Sequence, residues 1–132
     1  MEEFLQSMIA DINDSANIRW DIDRGGVSTL FVEPINAGPC PFSVAWSAHE
    51  TVVGFALNSR IEFGPGDEDL PLIAKVIGAC IDGRVALVNS GRRRGAAIEL
   101  DDGSVVGDSG AVRRTNTERR FSYQPYQRTE RN

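Results

Sequence analysis

A single histidine, His49, a single lysine, Lys75, and two cysteines are all this chain holds of those three residue types among its 132 residues. With one imidazole, any zinc site or proton shuttle built on histidine has to use His49, and no Cys/His cluster stands beside it. Cys40 lies in Pro39-Cys40-Pro41 and Cys80 in an apolar helical stretch 40 residues further on. That separation matches no metal or redox spacing, so both read as reduced thiols, with Cys80 a small buried hydrophobe. Reduced thiols point to the cytoplasm. No apolar run approaches the roughly 20 residues that span a bilayer. Met1-Glu2-Glu3-Phe4 is acidic where a secretory signal is basic. The expectation is a cytoplasmic protein with no membrane partner, no metal and no cofactor.

Positive charge is scarce in most of the chain and concentrated at its end. Residues 1–110 carry 17 Asp/Glu against 8 Lys/Arg, a net of −9, whereas residues 111–132 carry six arginines against two glutamates, a net of +4. An acidic body repels nucleic acid and anionic membranes and attracts basic proteins. The length fits one domain. From Asn116 onward the chain is polar, lacks periodicity and contains Pro125. Residues 1–110 therefore read as a single α+β domain and residues 111–132 as a basic, flexible tail, although its arginines also allow it to fold back on the acidic body.

Hydrophobic periodicity orders the body. Phe4, Leu5, Met8, Ile9 and Ile12 form a helical stripe, and Ile18, Trp20 and Ile22 alternate with Arg19, Asp21 and Asp23 as in a half-wet strand. Arg24-Gly25-Gly26 turns into a second strand, 27–32, and a proline-rich loop follows. Phe42, Val44 and Trp46 alternate again; Ala48-His49-Glu50 turns into a strand over 51–58, with Phe63 as its furthest extent. After Gly64-Pro65-Gly66, Asp67, Glu68 and Asp69 open a helix whose first turn also holds Pro71, whose apolar residues run from Leu72 to Ile81, and which Asp82-Gly83 closes. Strands follow at 84–89, 96–100 and 104–106. Short connections imply an antiparallel sheet of six to seven strands, with the N-terminal and central helices packed on one face. Trp20 and Trp46 sit on apolar strand faces and are expected in the core; an exposed one marks an interface.

Several short patterns invite a chemical reading, and each has a simpler one. Gly107-Asp108-Ser109-Gly110 resembles the segment around the nucleophile of chymotrypsin-like serine proteases, with Ser109 as nucleophile and His49 as base. That family's two barrels need far more chain, a long helix interrupts this one, and Ala111 replaces the family's next glycine, so the four residues read as a turn. Asp21 and Asp23 lack a third acid to complete a metal cage. Gly64-Pro65-Gly66 precedes Asp67, Glu68 and Asp69, which repel phosphate, and no Gly-Lys-Ser/Thr is present. Gly91-Arg92-Arg93-Arg94-Gly95, read as a loop, can clamp a phosphate or a carboxylate-rich partner.

These readings converge on a non-enzymatic protein that works by its surface. In size and charge it resembles the immunity proteins that neutralise basic toxins, and in element order as well it is similar to the acidic chaperones of bacterial secretion systems. The resemblance implies a basic protein partner, met by Asp21, Asp23, Asp67, Glu68 and Asp69. The alternative is a nucleic-acid-associated protein using Arg92, Arg93, Arg94, Arg113, Arg114, Arg119 and Arg120. A homodimer is compatible with either.

Overall fold

The computed structural model describes residues 1–56, 58–90, 93–107 and 118–129, with the side chains of 90, 93, 94 and 118–120 outside the description. Helix α1 (Glu2–Ile9) carries Glu2 and Glu3 in its first turn, where carboxylates complement the helix dipole. It continues as a 3₁₀ turn (Ala10–Ile12), and Leu5, Ile9 and Ile12 bury the stripe anticipated from their spacing. Strands β1 (Ala16–Ile22), β2 (Ser28–Pro34), β3 (Phe42–Trp46), β4 (Thr51–Phe55) and β5 (Ser59–Phe63) form an antiparallel meander in chain order. Alternation sends Leu30, Val32, Phe42, Val44, Val53 and Phe55 into the core.

Helix α2 (Leu70–Ile81) follows, with Pro71 in its first turn. Its end is a Schellman motif: the Arg84 N–H donates to Ala79 O at 2.9 Å and the Gly83 N–H to Cys80 O at 3.4 Å. Gly83 has φ +75°, which glycine alone adopts without penalty. Strands β6 (Val85–Ser90), β7 (Arg93–Glu99), β8 (Val105–Gly107) and β9 (Glu118–Ser122) make a second antiparallel sheet in the order β8-β7-β6-β9. One core joins both sheets, both helices and Tyr126.

The α+β class and the antiparallel pairing agree with the sequence reading, but the strands divide into sheets of five and four rather than one of six to seven. The strand beginning at Thr51 does not run through to Phe63. It breaks after Phe55, where Ala56 takes φ 58°, and Phe55 pairs with Ser59. Arg93 and Arg94, read as loop, are the first residues of β7.

The larger correction concerns the tail. Within the segment expected to lie free of the body, residues 118–122 add β9 to the open edge of β6, and residues 123–129 thread between the 38–41 loop, the end of α2 and the end of α1. Backbone N–H groups of Gln124, Tyr126 and Thr129 donate to Gly38, Ile81 and Asp11 carbonyls at 3.0, 2.8 and 2.7 Å. Tyr126 is 3% exposed, and its hydroxyl donates to Cys40 O at 2.6 Å. Arg128 reaches Asp82 at 2.9 Å and Asp11 at 3.7 Å. The anchor is one buried aromatic plus backbone pairing, neither of which has a period to read.

Candidate functional site

The register of the five-stranded sheet places Ile22 opposite Ser28, Ser28 opposite Trp46, Trp46 opposite Thr51 and Thr51 opposite Phe63. These five residues form one row across the sheet, roughly 19 Å wide at ordinary strand spacing. The β1–β2 turn, the β3–β4 turn and the segment leading from β5 to α2 therefore all leave the sheet at the same end. Asp21, Asp23, Glu50, Asp67, Glu68 and Asp69 are carried there, far apart in sequence and gathered by pairing. All are exposed except Asp69, which is half-buried.

Two of these acids also shape the backbone. Asp23 Oδ1 accepts from the N–H groups of Gly25 and Val27 at 2.8 and 3.0 Å, which fixes the β1–β2 turn. Asp69 precedes the first residue of α2, yet its side chain caps no helical N–H; Oδ2 instead accepts from the Gly64 N–H at 3.2 Å. The carboxylates placed in the helix's first turn from sequence thus lie just ahead of it, because the helix starts at Leu70. Asp21 and Asp23, an apparent strand pair, are separated by the strand end: Asp21 is in β1 and Asp23 in the turn.

Four carboxylates elsewhere on the surface are paired with cations. Asp82 meets Arg84 and Arg128, Asp101 meets Lys75, Asp11 meets Arg128 and Glu62 meets Arg60. Among the described residues, none of the six carboxylates at the sheet end has an ion-pair partner. Arg24, in the β1–β2 turn next to Asp23, is itself exposed.

Beside the acids lies an apolar surface that alternation alone did not expose. The inward face of β1 begins buried at Ala16 but ends with Trp20 37% and Ile22 73% exposed. Trp20 was expected in the core; β1 is an edge strand, and its last residues run beyond the core's cover. Trp46 remains half-buried against the core. The two indoles meet edge to face, with centroids 6.4 Å apart and planes at 84°.

Other candidates resolve less sharply. His49 is exposed at the β3–β4 turn, its N–H donating to Ser47 Oγ at 3.1 Å. Ser109 lies outside the described residues, as do Arg92, Arg113 and Arg114. Among the described residues, no three His, Cys, Asp or Glu side chains gather as a metal site. Asn89 of β6 faces Arg94 across one ladder and Arg119 across the other; Val88 faces Arg120, and Ser90 faces Arg93. Backbone pairing thus brings the two arginine groups, separate in the sequence, to one end of the second sheet. The outer face of the first sheet holds an open cavity of about 470 Å³ over Ser43 and Gly54, with Phe31, Glu33 and Arg60 at its margins.

One contact escaped the sequence reading altogether. Cys40 and Cys80, both fully buried, hydrogen-bond through their sulfurs. Accepting from Cys80 draws the Cys40 thiol below its ordinary range, while that same bond and burial push Cys80 well above it. Loop and helix bring them together, which no linear spacing records.

Compared with known families, curated proteins and solved structures, the chain matches none. A carboxylate-rich rim beside two exposed apolar residues can attract a cationic, partly apolar surface. No helix among the described residues is long and apolar enough to cross a membrane.

Proposed function

We propose that the protein is a non-catalytic binding domain that docks a basic protein partner on the acidic end of its five-stranded sheet, in the manner of a toxin-neutralising immunity protein or a secretion-type chaperone. The observation carrying this reading is the gathering, among the described residues, of six carboxylates without ion-pair partners at one end of the sheet. Asp11, Glu62, Asp82 and Asp101 each have a cationic partner, whereas the six carboxylates gathered at the sheet end have none among the described residues. An unneutralised rim extends a negative field into solvent, accelerates encounter with a cationic partner and holds off anionic ones. Affinity then comes from desolvated anchors at the centre of the interface. A cytoplasmic setting fits the two free thiols.

The test pairs capture with kinetics. Tagged protein is used to retrieve partners from its native cells, with a nuclease-treated control, and the retrieved basic protein is then bound to wild type and to an Asp21→Lys, Asp67→Lys, Glu68→Lys variant. Association of the variant is expected to be about tenfold slower or more at low ionic strength, with the gap closing at high salt. Equal rates at low salt would overturn the proposal.

A second reading has its own observation, the convergence of Arg93, Arg94, Arg119 and Arg120 around β6. In that reading the end of the second sheet binds nucleic-acid phosphates, with Phe121, 61% exposed on β9, as a stacking surface. Oligonucleotide affinity would then fall steeply with salt, and Arg94→Ala with Arg119→Ala would flatten that dependence.

A further inference from the structure

The acidic rim accounts for attraction but not for the tryptophans beside it. Trp20 and Trp46 stand at 84° with centroids 6.4 Å apart, an edge-to-face contact that sets the two indoles as a corner. Trp20 is 37% exposed, so the corner opens to solvent, and Ile22, two residues along the same face of β1, is 73% exposed. The carboxylates flank it through the chain: Asp23 follows Ile22, and Glu50 precedes Thr51, the register partner of Trp46.

Building on the docking function proposed above, we propose that this corner is the seat for an arginine side chain of the basic partner. Three features fit that occupant. Indole is the strongest cation–π acceptor among side chains, and guanidinium is its most frequent partner. The exposed Ile22 offers apolar surface to the aliphatic stem of arginine, while the carboxylates around it serve the charged head. The sheet already holds one contact of this kind on its opposite face, where the Arg19 guanidinium carbon lies 4.3 Å from the Phe31 ring centroid. No cation of the chain itself stacks on either tryptophan among the described residues. The corner is thus matched in charge and shape to a guanidinium supplied from outside.

The chain contains two tryptophans, and both belong to this corner, so intrinsic tryptophan emission reports on nothing else. The probe is a capped hexa-arginine peptide, titrated at low ionic strength into the full chain, with affinity from calorimetry alongside the emission change. Wild type is expected to show a saturable emission change. Trp20→Leu, which keeps an apolar group at an exposed strand position, is expected to bind roughly 3- to 10-fold more weakly, as for a partly desolvated cation–π pair, and Trp20→Phe to recover part of the loss. Capped hexa-lysine should bind more weakly than hexa-arginine. Full affinity in Trp20→Leu, together with weakening in Asp67→Lys, Glu68→Lys, would overturn the arginine seat and leave the docking surface standing. Unaltered affinity in both variants would overturn the seat and the docking surface together. Circular dichroism of each variant separates lost binding from lost fold.

Discussion

Tyr126 joins the far end of the chain to its core through three separate interactions. Its ring packs edge-on against Phe42 with centroids 6.2 Å apart, its hydroxyl donates to Cys40 O, and its N–H donates to Ile81 O. Tyr126→Phe keeps the ring but strands a buried carbonyl, which is expected to cost about 1–3 kcal/mol. Tyr126→Ala also removes the ring and is expected to cost about 3–5 kcal/mol. Urea unfolding with unchanged m-values measures both; equal costs would show that the ring adds nothing. The same residue sets an alkaline limit. Burial, ahead of any neighbouring charge, holds its phenol well above the ordinary value near 10. Above about pH 10 the folded state retains a proton that the unfolded state has lost, so stability present at neutral pH declines as pH rises. Cys80, raised by its hydrogen bond with Cys40 and by burial, acts with the same sign from about pH 8.5. In a pH series of urea midpoints, Tyr126→Phe should retain the earlier decline and fall less steeply than wild type beyond about pH 10, where Cys80 and the burial-raised phenol of Tyr123 still act.

The C-terminal segment works as a structural element held at α2's end, and Gly83 is where that hold is tightest. A Cβ at Gly83 would stand 2.5 Å from Pro125 N, and the residue's φ of +75° is strained for any other side chain. Gly83→Ala therefore meets both a left-handed penalty of about 1–2 kcal/mol and a clash with backbone that cannot swing aside. The expected outcome is a destabilised protein in which amide exchange accelerates first in β9 and residues 123–129. Uniform acceleration would mean that this segment does not open separately from the body. These contacts also mark what sequence could and could not convey. Helices α1 and α2 and strands β1, β2, β3 and β6 were legible near their true limits because their periodicity is local. The break at Ala56 was not, since alanine carries no turn preference. Nor was the division into two sheets, because pairing partners are chosen across the fold. The acids of the candidate site were nameable as two clusters, 21/23 and 67–69; their convergence, and Glu50's membership, required the register. Trp20 was misplaced because alternation assigns a face and cannot tell whether the core reaches that far along the strand.

Across the whole molecule, the proposed docking role would set binding against stability at the acidic sheet end. Asp82 is held by two arginines, so Asp82→Asn removes attraction and should destabilise the protein. Asp21 and Glu50 lie on the same rim, exposed and, among the described residues, without ion-pair partners, and neither carboxylate accepts a turn N–H there as Asp23 does. Each adds repulsion to a body whose first 110 residues already carry a net charge of −9. Neutralising them together, Asp21→Asn with Glu50→Gln, is therefore expected to raise stability by up to about 1 kcal/mol at low ionic strength. Screening should erase the gain at high salt, where the Debye length falls to about 3 Å. Urea midpoints at the two ionic strengths measure this directly. A stability gain in the double variant, coupled to slower capture of a cationic partner, is the signature of charge kept for recognition at the fold's expense. A loss of stability would instead mean that these carboxylates are held by favourable local interactions, and the rim would have a structural reason to exist without any partner.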